Sequence, residues 1–433
     1  MEPRRVGSGM AVAGTLVAMA TLGCVPGDGG TGGGTTTLMP TSTWASTSTT
    51  IGTTTTTTTT PPAASGSAFA WGYNGFGNLG DATLSDRPAP VSMQLPTGVE
   101  LTAISAGGFQ TVGLGSDGVA YAVGRDDFGQ LGNDAALAYS VTPVPVAMPA
   151  GVRFVQVASG GYHTLAIGDD GNTYAWGWDV DGQLGDDAAL VQQPVPVRVA
   201  MPPGVHFISV SAGFSHSLAV GDDGFAYAWG YDFYSELGND SVHLNRPTPV
   251  RVAMPGGVSV VQVSAGGHHS LAIGDDGNTY AWGWDAYGQL GDDPGSTSRD
   301  MPVPVHRPAG ATFTAVSAGA HHSLAIATDG SVYGWGSDEN GQLGDGAPTA
   351  DQALPVAVAG AFQAIRVSGG GRHSMAIGTD GVVYTWGADG AGQVGDGAPA
   401  DDRPIPTAVA LDGGHAIAVG AGYYHSVAVA QGN

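Results

Sequence analysis

A unit of about 53 residues occurs seven times along this chain, and it constrains the fold more than any other feature. A Trp-Gly pair marks six copies, and Val123-Gly124 stands at the same place in the remaining copy. Successive marks are 52, 53, 53, 53, 53 and 51 residues apart. A repeat of this length indicates supersecondary units that stack on one another. The tryptophans are Trp71, Trp176, Trp229, Trp282, Trp335 and Trp386.

Further motifs follow the same period. A Gly-x-x-His-Ser/Thr-like segment marks six copies, and Gln110 replaces the His in the copy that lacks the Trp. An Asp-Gly turn lies between His and Trp, and a Gly-Gln-Leu-Gly-like turn follows the Trp. Because each His recurs once per unit at one position, we interpret it as a hydrogen-bonding link between units. These residues are His163, His216, His269, His322, His373 and His425.

Each unit carries the signals of four short antiparallel strands. In the second copy, the apolar runs 164–168 and 173–177 flank an Asp-Gly turn, which is a strong hairpin signal. Segment 154–157 predicts a third strand, and the proline-containing run 194–199 predicts a fourth at a sheet edge. Seven such units predict an all-β fold, a seven-bladed β-propeller of four-stranded blades.

The ends of the repeat region predict how the ring closes. The region begins at Ser67 with the strand that elsewhere follows the Asp-Gly turn, and after His425 it ends with the strand that elsewhere precedes that turn. We therefore expect the last blade to combine N- and C-terminal strands, which removes exposed sheet edges. The predicted propeller comprises residues 67–433.

These motifs resemble the repeats of the regulator of chromosome condensation family. The resemblance rests on Gly-x-x-His-Ser, Asp-Gly-x-x-Tyr-x-Trp-Gly and Asn/Asp-x-x-Gly-Gln-Leu-Gly, and it covers about 85% of the chain. It implies a rigid disc that binds proteins through its faces, as in a nucleotide-exchange factor, ubiquitin-ligase modules and a secreted β-lactamase inhibitor. Within that family the chain resembles an exported, lipoprotein-like bacterial member. The motifs specify the fold and leave the function open.

Residues 1–23 have the layout of a signal peptide. Arg4 and Arg5 precede an apolar run over residues 10–22, which is too short to span a bilayer. The segment ending at Cys24 resembles a lipoprotein signal in which that Cys is lipidated, although Thr21 stands where an apolar residue is usual. We expect export to the cell envelope or outer surface with a lipid anchor. An ordinary cleaved signal and a secreted protein are the alternative.

Residues 24–66 consist mainly of Gly, Thr, Ser, Pro and Ala, including the unbroken run Thr53–Thr60. Such a segment has too little apolar area to offset the entropy lost on ordering. We therefore expect a disordered tether between the signal and the propeller.

The charge balance excludes several classes of partner. The chain carries 33 Asp and 4 Glu against 13 Arg and no Lys, and its net charge is −24. Binding to nucleic acid or to an anionic membrane requires a basic surface. We therefore expect no nucleic-acid partner, and membrane contact only through a lipid on Cys24.

The sequence offers no motif for catalysis, a cofactor or a metal. Known hydrolase, nucleotide and zinc-protease motifs are absent, so we expect no catalytic residues. The Asp-rich segment with Asp179, Asp181, Asp186 and Asp187 lacks the full calcium-loop pattern, and turn formation accounts for its carboxylates. The single Cys excludes an intramolecular disulfide.

Positions that vary between otherwise similar copies are candidates for binding. One such position directly precedes the repeated His, and a second directly follows Trp-Gly. Both are rich in aromatic residues and Arg, which are typical of interface hot spots. The first set is Phe109, Tyr162, Phe214 (beside Ser215), His268, His321, Arg372 and Tyr424; the second is Tyr73, Arg125, Trp178, Tyr231 and Trp284.

These observations predict a monomeric scaffold that binds another protein through an aromatic-rich face. The alternative is a carbohydrate-binding module for envelope sugars, because aromatic rings stack on sugar faces. An enzyme ranks third, because no catalytic constellation is visible.

Overall fold

The computed structural model describes residues 64–432, except residues 136, 189, 240–242, 294, 348–349, 361, 399–400 and 413. The predicted signal peptide, Cys24 and the tether up to residue 63 lie outside the described residues. Within them, 28 strands form seven antiparallel sheets of four strands each. The predicted seven-bladed propeller is confirmed.

The chain begins with β1 (Ser67–Gly72) and β2 (Arg87–Ser92). Blade 1 follows with β3 (Leu101–Ala106), β4 (Gln110–Gly115), β5 (Ala120–Arg125) and β6 (Tyr139–Pro145), and blade 2 with β7 (Phe154–Ser159), β8 (His163–Gly168), β9 (Thr173–Gly177) and β10 (Gln193–Arg198). Blade 3 contains β11 (Phe207–Ala212), β12 (His216–Gly221), β13 (Ala226–Gly230) and β14 (Arg246–Arg251). Blade 4 contains β15 (Val260–Ala265), β16 (His269–Gly274), β17 (Thr279–Gly283) and β18 (Arg299–Pro304).

Blade 5 contains β19 (Phe313–Ala318), β20 (His322–Ala327), β21 (Val332–Gly336) and β22 (Gln352–Ala357). Blade 6 contains β23 (Ala364–Gly369), β24 (His373–Gly378), β25 (Val383–Gly387) and β26 (Arg403–Val409). The chain ends with β27 (His415–Ala421) and β28 (His425–Gln431), which pair with β1 and β2 to complete blade 7. The predicted closure by strands from both ends is confirmed.

Each strand has the chemistry that its place in the blade requires. The second strand lies between two others and between two blades, and every residue of β8 and β12 is buried. The fourth strand is an edge and carries the prolines, as in β10, because proline cannot donate to a ladder. The core lies between blades: Trp229 of blade 3 packs in one cluster with Leu184 and Val199 of blade 2.

A repeated hydrogen-bond network joins neighbouring blades. His163 Nε2 lies 2.9 Å from Ser217 Oγ in the next blade, and the Ser217 hydroxyl donates to the Gln183 carbonyl at 2.8 Å. The same carbonyl accepts the Trp229 indole N–H at 2.9 Å. The other repeated histidines contact Ser or Thr in the same way, which confirms the blade-linking interpretation.

Both ends of the propeller lie at the same face of the disc. β1 and β28 run antiparallel, with Gly72 opposite His425 and Ser67 opposite Ala430. The chain therefore enters blade 7 and leaves it at the Ser67 end. Gly66, at the boundary of the predicted tether, still pairs with Leu101. Within the described residues, no helix has the length and apolarity that crossing a bilayer requires.

Candidate functional site

The two predicted sets of residues lie at the same end of every blade. The first set occupies the turn between the first and second strands, and the second set follows the third strand directly. Because the second and third strands are antiparallel, with His163 opposite Gly177, these two segments are adjacent. The Tyr162 carbonyl indeed accepts the Trp178 N–H at 2.9 Å. We call this end of the disc the upper face.

A third set of aromatic residues lies on the upper face and was missed by the sequence analysis. These residues stand five positions after the repeated Trp, or after Val123, in the loop that follows the third strand. Their signal was the same copy-to-copy variation, but in a loop that otherwise reads as a turn motif. They are Phe76, Phe128, Tyr234 and Tyr287, and Phe233 and Tyr423 also belong to this surface.

Rings of neighbouring blades touch one another around most of the upper face. Between blades 7 and 1, the centroids of Tyr73 and Phe109 are 5.8 Å apart. Between blades 1 and 2 Phe128 and Tyr162 are 5.6 Å apart, and between blades 2 and 3 Tyr162 and Phe214 are 5.7 Å apart. Most of these pairs meet edge to face, a favourable geometry for aromatic rings.

The ring contacts continue to blade 5. Tyr234 and Trp284 join blades 3 and 4 at 5.6 Å, and Trp284 and His321 join blades 4 and 5 at 5.1 Å. We call the whole group the aromatic arc. Its members are Tyr73, Phe76, Phe109, Phe128, Tyr162, Trp178, Phe214, Tyr231, Phe233, Tyr234, His268, Trp284, Tyr287, His321, Tyr423 and Tyr424.

Arg125 lies between the rings of blades 7, 1 and 2. Its guanidinium carbon is 5.0 Å from the Phe76 centroid and 5.4 Å from the centroids of Phe128 and Tyr162. A cation over several ring faces is attracted by each ring quadrupole. Asp127 accepts a hydrogen bond from Arg125 Nε at 2.6 Å. Arg125 therefore stabilises the arc where the repeated Trp is replaced by Val123.

A polar sector interrupts the arc on blades 5 and 6. The positions that carry aromatic rings elsewhere hold Ser337 and Asn340 on blade 5 and Ala388 on blade 6. Arg372 belongs to this sector, 3.7 Å from Glu339 Oε2, and both side chains are about half exposed. Of the two predicted Arg residues, Arg125 thus contacts the rings of the arc, whereas Arg372 lies in the polar sector.

The predicted residues differ in how much surface they offer. Phe109 is only 5% exposed beneath Tyr73, Phe76 and Tyr424, so it supports the face instead of forming its surface. The other predicted aromatic residues are partly exposed. The most exposed ring is Phe233, at 61%, which the sequence analysis did not single out.

In one blade, a Glu and a His form a hydrogen-bonded pair within the arc. Glu236 replaces the Gln of the repeat, and His268 Nδ1 donates to its Oε1 at 3.0 Å. The Glu236 side chain is fully buried, and burial raises the pKa of its carboxyl, while the hydrogen bond from His268 acts in the opposite direction. The pair therefore holds the His268 ring against Trp284 and Tyr234.

A cavity of about 270 Å³ opens where the arc meets the polar sector. Rings line one side of it, and charged or amide side chains line the other. Burial lowers the pKa of His321 to about 4, so this ring is neutral at pH 7. The lining of the cavity includes Tyr234, Trp284, Tyr287, His321, Glu339 and Arg372.

The sequence matches the RCC1-like domain over residues 67–428, which is the whole propeller apart from its last few residues. The chain belongs to the RCC1-like family. Among its curated relatives is the ultraviolet-B receptor UVR8 of Arabidopsis thaliana, 32% identical over 79% of this chain and 78% of the relative. The human E3 ubiquitin-protein ligase HERC2 is 31% identical over 84% of this chain, which is only 8% of that ligase.

Two solved structures have the same fold. Prp20p of Saccharomyces cerevisiae has a TM-score of 0.76 at 24% identity, over 85% of this chain and 92% of the yeast chain. Human WBSCR16 has a TM-score of 0.75 at 23% identity, over 84% of this chain and 100% of the human chain. At these identities the likeness concerns the propeller and not its partners.

Proposed function

We propose that this chain is a scaffold that binds another protein through the aromatic arc. The observation that carries the proposal is the extent of the arc over six consecutive blades, from blade 7 to blade 5, with Arg125 bridging its rings within blade 1. Rings held by their neighbours lose little conformational entropy when a partner binds, so they are effective anchors. Phe233, Trp178 and Trp284 are the anchors we propose, because each is exposed or partly exposed.

The relatives support a protein as the partner. Prp20p has been described with binding properties to Gsp1p and histones, and also in complex with Kap60. The ligase relatives extend far beyond the matched propeller, which supports binding over catalysis for this part of the chain. The net charge of −24 favours a partner with basic groups around its contact surface.

The proposed location is outside the cytoplasm, at the cell envelope, with Cys24 as the lipid-bearing residue. The support comes from residues 1–24 alone, which combine two arginines, a short apolar run and a single Cys. A form without the lipid would be secreted.

A carbohydrate ligand is the second candidate, and the cavity beside the polar sector favours it. Its volume of about 270 Å³ and its combination of Trp284 with Glu339 and Arg372 suit one sugar ring held by stacking and hydrogen bonds. This ligand would occupy one site between blades 3 and 6 and not the whole arc.

Paired affinity capture tests the proposed function. The full chain is used as bait for envelope proteins, beside a variant with Trp178→Ala, Phe233→Ala and Trp284→Ala. The control carries Val155→Ala and Ile208→Ala, two exposed apolar residues on the first strands of blades 2 and 3, away from the upper face. We expect one protein to be retained by the wild type and the control and lost by the face variant. Equal retention by all three baits would refute the proposal, and displacement by soluble sugars would favour the second candidate.

A further inference from the structure

Each blade has a pair of polar residues seven positions apart in the loop after its third strand. The first residue of the pair caps the following turn. In blade 7 the Asn74 Oδ1 accepts the Leu79 N–H at 3.0 Å, and in blade 4 the Asp285 Oδ1 accepts the Leu290 N–H at 2.9 Å. The pairs are Asn74/Asp81, Asp126/Asn133, Asp179/Asp186, Asp232/Asn239, Asp285/Asp292, Asp338/Asp345 and Asp389/Asp396.

Blade 7 shows which group the space between the pair accepts. The Asn74 Nδ2 donates to Asp81 Oδ1 at 3.0 Å and to the carbonyl oxygens of Thr83 and Ser85 at 3.1 Å each. The second oxygen of Asp81 accepts a hydrogen bond from Arg87 Nε at 2.7 Å. The amide nitrogen therefore lies in a cage of oxygen atoms, where a group with positive character is required.

Blade 4 keeps this arrangement but replaces the amide by a carboxylate. Arg299 Nε donates to Asp292 Oδ2 at 2.6 Å, as Arg87 does to Asp81. Asp285, which is 0% exposed, stands in the place of Asn74. Its Oδ2 and the Oδ1 of Asp292 are both buried, and neither has a hydrogen-bond donor among the described residues. At the corresponding sequence positions, blade 7 has the Asn74 amide as donor and Asp81 as its acceptor, so blade 4 has a carboxylate in place of the donor.

Blade 2 has the same pair of carboxylates, but without the positive side chain that Arg299 supplies in blade 4. Asp179 is 1% exposed, and its Oδ2 also lacks a donor among the described residues. Gln193 stands where blade 4 has Arg299, so the pair with Asp186 gains no positive side chain from that strand.

We propose that these two loops are calcium sites, one between Asp285 and Asp292 and one between Asp179 and Asp186. In the described residues, three or more His, Cys, Asp or Glu side chains nowhere form a metal-binding group. The ion must therefore take its remaining ligands from backbone carbonyls and water. Ca²⁺ accepts six to eight such oxygen ligands in irregular geometry, whereas Mg²⁺ requires a regular octahedron.

Calcium titration of the full chain tests the proposal. The protein is stripped with EDTA and then titrated with CaCl₂, followed by calorimetry and by thermal unfolding. We expect saturable binding, and an unfolding midpoint that rises with the logarithm of the CaCl₂ concentration. MgCl₂ at the same concentrations should produce a smaller shift.

Variants separate the proposed sites from general ionic effects. The double variant Asp179→Asn and Asp285→Asn copies the Asn74 arrangement, so it should fold in EDTA and lose the calcium-dependent shift. The matched control is Asp126→Asn, which changes the same turn position in a blade whose second residue is Asn133; it should keep the shift. A wild type without calcium binding, or a double variant with an unchanged shift, would overturn the proposal.

The reverse change keeps the proposal testable if the double variant does not fold. Asn74→Asp places a second carboxylate in blade 7, beside Asp81. We expect a lower unfolding midpoint in EDTA and recovery in CaCl₂. A midpoint that stays low at all CaCl₂ concentrations would contradict the proposed chemistry of the loop.

Discussion

The substitution His163→Gln tests the chemistry of the links between blades. The Ser217 hydroxyl donates to the Gln183 carbonyl, so it must accept its other hydrogen bond from His163 Nε2–H. His163 Nδ1 is buried without a partner among the described residues. Protonation would add an N–H there with no acceptor. Gln110 is the natural model for the variant, because its Nε2 donates to the Gly160 carbonyl of the next blade at 3.1 Å.

The size of the effect follows from the pKa of His163. Burial lowers that pKa from 6.5 to about 3 in the folded protein. The neutral His163 ring contributes its full stabilisation of the folded state above pH 6.5. This contribution is lost as the pH falls, because below pH 6.5 the unfolded chain takes up a proton that the folded protein does not. Because pH 5 lies about 1.5 units below the pKa of the unfolded chain, the free energy of unfolding is lower there by about 2 kcal/mol.

The free energy of unfolding of the variant, relative to that of the wild type, should therefore increase as the pH falls. At pH 7.5 we expect it to be less stable by about 1 kcal/mol, the usual worth of a hydrogen bond. At pH 5 the difference should shift by about 2 kcal/mol and favour the variant. Other titrating groups are common to both proteins and cancel in the comparison.

Urea unfolding followed by tryptophan fluorescence measures both free energies at pH 7.5 and pH 5.0. The variant Ser217→Ala serves as the control, because it removes the link but keeps the imidazole, so its pH dependence should match the wild type. A difference between the wild type and His163→Gln that is the same at both pH values would refute the reasoning.

Three further predictions concern stability. Trp229→Ala should lower the free energy of unfolding by about 3–5 kcal/mol in a denaturant titration, since this buried ring stacks on Phe207 at 5.7 Å. Gly185→Ala should lower the thermal midpoint more than Gly204→Ala: both glycines have a positive φ, but a Cβ at Gly185 would lie 2.6 Å from the Trp229 Nε1, while Gly204 has nothing within 4 Å. Arg125→Ala should cost about 1 kcal/mol in urea unfolding, because it removes a cation from several ring faces.

The fold was predictable because its information is repeated. A marked position that recurs every 51 to 53 residues must serve one structural purpose, so the sequence alone indicates that Trp229 packs in the core and that His163 links two blades. Ring closure followed from the strand that is missing at each end. Comparing the seven copies identifies a structural role only at positions where the copies carry the same residue.

The candidate site was predictable only in part, because it consists of positions that the copies do not share. The burial of Phe109 depends on rings from blade 7 that meet it across a blade boundary. Phe128 and Tyr234 stand beside the Gly-Gln-Leu-Gly pattern. This pattern explains the segment as a turn and assigns no role to its aromatic residues. The pairing of Asp285 with Asp292 needs a loop geometry that no linear calcium motif contains.

The register between β1 and β28 places both ends of the propeller on one side of the disc. Since both chain ends leave blade 7 at the Ser67 end, everything that precedes the propeller is joined to the side opposite the upper face. A tag or a fused domain could therefore be joined at either end without being attached to the aromatic arc. The strand pairing that closes the ring thus also determines on which side of the disc both ends of the propeller lie.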